Sequence, residues 1–391
     1  MSTRPLRVLQ VIPGIAARYG GPSRVVTALS GALAAHGLDV LVASTDADGD
    51  GRLDVPLGDV VPFEGTRAIF FARRGGDGFK YSPDLARWLR QTVGQFDVVH
   101  IHAVFSHASI AAARSCWRHG VPYVLRPLGT LAPWALEQKR WQKRALLRVA
   151  GRRMIARAAV VHYTTEAEAR LTESTIGATR RLVLPPGLGD EWLGQPVVPA
   201  AEREPIVFAL ARLHPVKNLE AAIGAFHLLG EAARAWHLVV AGDGETAYRQ
   251  HLQALAAAGP AHDRISFPGW MDEATARAWL ARASVFVQPS HQESFGVSVL
   301  EAMASGVPVV IARGVSLAED VERAGAGWVT APDHASVAEA LGAAIGSAGE
   351  RSQRAAAARA MAAAFTWPAT AARLVAVYEQ VARDPRMYRA S

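Results

Sequence analysis

Cysteine is almost missing from this chain. Cys116 is the single one in 391 residues, so no intrachain disulfide can form and a reducing compartment is the economical reading. No stretch approaches the roughly 20 apolar residues of a membrane-spanning helix. The start, MSTRPLRVLQVIPG, runs within a few residues into a strand-like apolar segment without the long hydrophobic region of a secretory signal. These absences predict a cytoplasmic protein, with contact to the inner face of the cytoplasmic membrane still open to it. There is no GxGxxG, which weakens a dinucleotide reading, and no internal repeat of solenoid length. Disorder can be set aside for most of the length: half the residues are hydrophobic and a fifth are charged, the ordinary mix of a globular protein.

What is present is a two-part grammar. The length exceeds what one hydrophobic core usually serves, so two domains are expected. Strand-like runs at 6–12, 39–44, 97–101, 122–126 and 159–163 alternate with helical stretches, one of them starting at Ser23 as its N-cap. A proline- and glycine-rich segment, 183–205, interrupts them, after which strands fit 206–211, 237–241, 265–267, 285–289 and 307–312. Alternation of this kind implies parallel sheets covered on both faces. The alanine-rich stretch 355–364 reads as helix, and 365–384 places Leu374, Val375, Val377 and Tyr378 at helical spacing, so this last segment should pack against a core.

The chemistry-bearing residues lie in the loops. ESFGVSVLE, 293–301, holds two glutamates around a turn into a helix; a carboxylate accepts hydroxyl hydrogen bonds strongly, so Glu293 and Glu301 suit a polyol. ARLHPVKN, 211–218, sets Arg212 and Lys217 in a loop after a strand, where ligands bind in open α/β sheets and where two cations can neutralise a diphosphate. Gly20 and Gly21 permit close backbone approach to a phosphate or sugar beside a helix start. His100 and His102 alternate along a strand end, which is read as pointing them to opposite faces, with only one able to face a ligand.

Taken together, YGGPSRVV (19–26), DVVHIHAVFSH (97–107), RPLGTLAPWALEQKRWQKR (126–144), ARLHPVKN, AGDGE (241–245), ESFGVSVLEAMASGVPVV (293–310) and the closing FTWPATAARLVAVYEQ resemble the retaining glycosyltransferases of the GT-B fold, family 4 type. The resemblance covers nearly the whole chain. It implies an α/β fold of two Rossmann-like domains facing each other across a cleft: an acceptor-side domain at 1–186, a nucleotide-sugar domain at 187–367, and a C-terminal helix, 368–391, returning to the first domain. By the same resemblance Arg212 and Lys217 bind the donor diphosphate, Glu301 the ribose hydroxyls, and Glu293 with the backbone of Ser294, Phe295 and Gly296 the donor sugar. His102 is then the active-site histidine, and no cofactor or metal is implied. A sugar-nucleotide epimerase or hydrolase on the same fold, or a binding protein without turnover, remains an alternative. Two positions depart from the family's habit: Pro186 stands where asparagine is common, and Leu128 precedes Gly129 where a basic or polar residue is frequent.

Two further segments call for a reading. DADGDG, 46–51, imitates the start of a calcium loop, but position twelve is Leu57 and no helical pattern flanks it; it is taken as a polar turn. Between Glu137 and Arg157 stand eight basic residues against one acidic, leaving 34 of each sign in the rest of the chain. The segment lacks a nucleic-acid reader motif. With Trp134, Trp141, Leu146, Leu147, Met154 and Ile155 interleaved, it reads instead as a surface for an anionic membrane carrying a polyprenyl-diphosphate-linked acceptor, the alternative being a solvated helix face with core residues beneath.

Overall fold

The computed structural model describes residues 4–138, 140–196 and 198–384. The chain divides into two compact units, one built from the residues up to Gly187 and those from Thr366 onward, the other from Leu188–Phe365. Among the described residues no helix is long and apolar enough to cross a membrane.

In the first unit the strands are β1 (Arg7–Val11), β2 (Asp39–Thr45), β3 (Ala47–Asp48), β4 (Gly51–Arg52), β5 (Val60–Phe63), β6 (Thr66–Phe71), β7 (Val98–His102), β8 (Tyr123–Arg126), β9 (Val160–Tyr163) and β10 (Arg181–Val183). Eight of them form one sheet in the order β10-β9-β8-β7-β1-β2-β6-β5, and β3 pairs with β4 alone. Within the eight-stranded sheet pairing is parallel except at the β5–β6 edge, and β3–β4 is antiparallel. Period-two alternation assigns the faces: Val99 and Ile101 join one core cluster, whereas Val98 joins the other with Val8, Val124, Leu374 and Tyr378. The second cluster is where the C-terminal helix Trp367–Arg383 lies, capped by the Thr366 hydroxyl on Ala369 N–H at 3.3 Å. Leu374 and Tyr378 are fully buried there, each worth about 2 kcal/mol of apolar burial.

Two sequence expectations change here, and a third is given its geometry. His100 and His102 share a face, their rings stacked with centroids 4.3 Å apart, because residues two apart on a strand point the same way. The first helix is Gly21–Ala35 with Gly20 at its cap, not Ser23. Gly20 takes φ 71°, which a glycine adopts freely, and Pro22 fits the first turn since its missing N–H would have no intrahelical partner. The turn at DADGDG is the β3–β4 hairpin, where buried Asp46 accepts hydrogen bonds from Arg73 N–H at 2.6 Å and Arg52 Nη1 at 3.0 Å.

In the second unit β11 (Glu204–Leu210), β12 (His237–Ala241), β13 (Ile265–Gly269), β14 (Ala283–Gln288), β15 (Val309–Ala312) and β16 (Gly327–Thr330) form one parallel sheet, ordered β13-β12-β11-β14-β15-β16. Phe208 enters one core cluster while Val207 and Ala209 enter the other, so both faces are covered. The order reverses beside β11: the chain steps outward through β12 and β13, then returns to lay β14 on the opposite flank. Loops after β11 and β14 therefore diverge to opposite sides of a crevice, the usual ligand position of such sheets.

Candidate active site

In the second unit the two predicted loops meet. Beyond β11 a short turn, Pro215–Lys217, leads into the helix Leu219–Leu228. Beyond β14 the chain runs through Glu293 to Gly296, which caps the helix Val297–Ala304. The Lys217 ammonium is in ion-pair contact with Glu293 Oε2. Burial and the Arg212 guanidinium lower the Lys217 pKa to about 7, while the adjoining carboxylate favours the charged form. Arg212 itself is exposed.

The loops are fixed by groups that sequence reading passed over. Asn218, buried and left-handed at φ 52°, donates through Nδ2 to Pro289 O at 3.0 Å and Pro332 O at 2.7 Å. It thereby ties the β11 loop to the end of β14. Asparagine tolerates this conformation better than most side chains, and that preference was the available signal. Buried Gln288 accepts from Ser298 Oγ at 2.8 Å and lies 3.4 Å from Glu293 Oε2. Glu293 is also held by its backbone, which accepts from Ser316 N–H and donates to Gly314 O. The AGDGE loop packs tightly against the β11 loop: a Cβ on Gly242, at φ 133°, would stand 1.8 Å from Ala211 O.

The other predicted residues of this unit divide by exposure. Phe295 is core, its ring 5.9 Å edge-on from Phe365, so only its backbone can face a ligand. Glu301 lies in the helix with 1% of its surface exposed. Ser294 and Gly296 stand between Glu293 and the helix start, where N–H groups have no intrahelical acceptor.

The first unit assembles a second set at the carboxyl ends of three neighbouring strands. Gly20 and Gly21 follow β1, and His102 ends β7. Backbone strain gathers there: Ala103 has φ 73° after β7, and Leu128 has φ 57° after β8. Positive φ is costly for residues with a Cβ and persists where the surroundings fix it, a habit of functional sites. Leu128, noted in sequence only as an unusual residue, is thus strained as well.

His102 is fully buried, its Nε2 2.7 Å from Gln10 Oε1. Burial, with the charge of Arg126 on the next strand, pushes its pKa well below the usual histidine value. Arg126 is buried too, and near it Glu168 accepts from Thr164 N–H, Thr164 Oγ1 and Gly129 N–H. Gln10, Arg126 and Glu168 were not singled out from sequence and Tyr378 only as an apolar helix residue, although a lone glutamine inside LRVLQVI is a signal of buried polarity.

The cationic segment folds as the helix Arg140–Leu146, a π-turn Leu147–Gly151 and the helix Arg152–Ala156; Lys139 lies outside the described residues. Its apolar side chains do not all face outward. Met154 is buried, Leu147 and Ile155 pack on the first unit's core, and Trp134 and Leu146 are half-buried. Helical periodicity explains this: one side of the segment serves the core. Trp141 at 74% and Val149 at 76% exposure are the large apolar side chains left in solvent among its described residues.

Comparison with known proteins agrees with this layout. Residues 20–187 match the glycosyl transferase 4-like domain and residues 192–361 match glycosyl transferases group 1. The D-inositol 3-phosphate glycosyltransferase of Nocardia farcinica is 30% identical over 305 residues, 74% of this chain and 67% of that one. A phosphatidyl-myo-inositol mannosyltransferase of Propionibacterium freudenreichii is 28% identical over 324 residues, 79% of this chain and 77% of the other. Anabaena HepE, solved with UDP and glucose, superposes with a TM-score of 0.78 at 18% identity, covering 96% of this chain and all of that one. With both halves matched in order along its length, the chain belongs to the family 4 type glycosyltransferases of the GT-B fold.

Proposed function

We propose that this glycosyltransferase moves a hexose from a UDP- or GDP-sugar to a glycan acceptor, lipid-linked through a polyprenyl diphosphate, in surface polysaccharide synthesis, with retention at the anomeric carbon and without a metal. The observation that carries the donor reading is the convergence of exposed Arg212 with the Lys217–Glu293 pair at the ends of adjacent strands. Two cations can take the charge that grows on a departing diphosphate, the work a divalent ion does in other transferases.

In this reading the diphosphate settles against Arg212 and Lys217. Glu293 exchanges part of its bond to Lys217 for hydroxyls of the donor sugar, beside the backbone of Ser294, Phe295 and Gly296. Glu301 takes the ribose hydroxyls, Gly20 and Gly21 leave room for backbone approach to phosphate or sugar, and His102 meets a sugar hydroxyl. As the bond from the anomeric carbon to the diphosphate oxygen breaks, the acceptor oxygen bonds to that carbon on the same face and gives its proton to the leaving diphosphate. No protein nucleophile enters. The relative named for a phosphatidyl-inositol acceptor and the basic surface with Trp141 and Val149 support an acceptor held at an anionic membrane.

Calorimetry and thermal shift with UDP and GDP in excess EDTA test the donor site, on the wild type and on Arg212→Ala with Lys217→Ala. A nucleotide at 100 times its Kd adds about 2.7 kcal/mol of stability. Stabilisation of the wild type alone supports the assignment, and binding that requires added divalent metal removes the metal-independent mechanism. Sugar loss from the donor with no acceptor present would turn the reading toward a hydrolase.

A further inference from the structure

Behind His102 stands an unbroken line of side chains whose hydrogen-bonding roles can be solved from one end. His162 Nε2 lies 2.8 Å from Leu184 O, and a carbonyl can only accept, so that nitrogen carries a proton. His162 is fully enclosed and its pKa falls to about 3, so it is neutral and its Nδ1 is bare. That nitrogen lies 3.4 Å from His100 Nε2, which must donate. His100, also buried and lowered well below the ordinary value, then presents a bare Nδ1 to Tyr378 OH at 2.7 Å. Tyr378 donates to it, leaving its oxygen to accept from Gln10 Nε2 at 3.2 Å. The Gln10 carboxamide is thus oriented with Oε1 toward His102 Nε2, 2.7 Å away, and His102 donates. Its other nitrogen, Nδ1, has less than 1 Å² of exposed surface and no partner among the described residues. The opposite direction of the line would set a bare nitrogen against the Leu184 carbonyl oxygen.

We propose that Tyr378, on the C-terminal helix, and Gln10, on β1, are positioning residues that fix His102 as its Nε2–H tautomer, so that Nδ1 is a bare acceptor for a hydroxyl of the sugar substrate. The sugar rests on the glycosyltransferase reading above; the tautomer does not. A hydroxyl presented to Nδ1 donates to it, whereas in the other tautomer the N–H could meet a hydroxyl only through its oxygen, which reverses the selectivity of the contact. The arrangement also gives the returning helix a chemical task beyond packing: its tyrosine is the joint between the two halves of the line.

Long-range ¹H–¹⁵N spectra of the full-length protein with ¹⁵N-labelled histidine, recorded without nucleotide, read the tautomer directly. The expected result is a proton on Nε2 of His102 and none on Nδ1. In Tyr378→Phe the Gln10 amide loses its acceptor and can invert, so His102 should shift to the Nδ1–H form or a mixture. Turnover with UDP-glucose or GDP-mannose, whichever the wild type uses, should then fall about tenfold or more with the donor KM nearly unchanged; a wrong tautomer is known to cost far more than that in another imidazole-dependent site. Gln10→Leu is read in the same way if the tyrosine variant does not fold. A proton on Nδ1 in the wild type, or an unaltered His102 spectrum in both variants, overturns the proposal. If the tautomer is as stated but neither sugar nucleotide is turned over, the donor reading fails and the relay stands.

Discussion

The two candidate sites handle polarity in opposite ways. In the second unit Lys217 and Glu293 meet as ions at a loop surface, each side chain still 17–18% exposed. In the first, six groups from Leu184 O to His102 form a neutral line with its imidazoles fully enclosed. A partly solvated ion pair can be reopened by a ligand of like charge at small cost, because water and the incoming phosphate replace the lost partner. A buried neutral line cannot admit charge without several kcal/mol, but it holds orientation well. On the proposed reading this is a division of labour: one unit manages a diphosphate, the other a hydroxyl.

Exchanging carboxamide and carboxyl in each site separates these regimes most sharply. Gln10→Glu must either bury a charge or take up a proton against an ordinary pKa near 4.3, a cost of about 3–4 kcal/mol at pH 7. That penalty shrinks as pH falls toward 5, since the neutral acid can bond to both Tyr378 and His102. Urea melts at pH 7 and 5 check it; a stability within about 1 kcal/mol of wild type at pH 7 would mean that the line is wet. The reverse exchange, Glu293→Gln, should leave stability within about 1 kcal/mol while lowering turnover about 100-fold. A comparable loss of both would make the pair a structural bridge.

Next in size is the clasp that holds the ionic site together. Asn218→Ala leaves the carbonyls of Pro289 and Pro332 without their donor and puts at positive φ an alanine, which tolerates that conformation less well than asparagine, for about 2–3 kcal/mol. Asn218→Gly removes the strain only, so about 1 kcal/mol should return. Equal destabilisation by both variants would show that backbone conformation contributes nothing there.

Acid distinguishes the units without mutation. His100, His102 and His162 have folded pKa values below the unfolded value near 6.5, so the unfolded chain binds more protons at low pH. Their contribution is whole above about pH 6.5 and is lost as the pH falls, at about 1.4 kcal/mol per pH unit for each histidine. Hydrogen exchange between pH 7 and 5 should therefore show β7 and β9 losing protection before β11 and β14.

How legible all this was in sequence depended on range. Most buried parallel strands announce themselves as apolar runs, although Thr66–Phe71 was passed over, and the loops after β11 and β14 carried Arg212, Lys217 and Glu293 in view. The edge strand Val60–Phe63 was missed because it is exposed and pairs antiparallel, and Gly327–Thr330 because a short strand has little pattern of its own. The relay could not be read at all. Gln10 and Tyr378 are 368 positions apart, and Tyr378 looked like one more apolar residue of a helical stripe. Only the sheet order brings them to one face, and an error in strand parity had already sent His100 and His102 apart.

The smallest effect concerns the basic face, where neither regime holds. Arg148 is exposed, in the turn that also carries Val149, so its removal should cost the fold no more than about 0.5 kcal/mol. If the segment lies on a membrane, each such charge near an anionic surface contributes about 1 kcal/mol, and Arg148→Gln should bind phosphatidylglycerol vesicles about fivefold more weakly at low salt. Trp141→Ser adds the apolar half of the same test, because a side chain at 74% exposure has almost nothing to lose from the fold and much to lose from a bilayer. Vesicle binding unchanged in both variants would leave this face a solvated surface, and the acceptor would then have to be recognised by the strained loops after β7 and β8 alone.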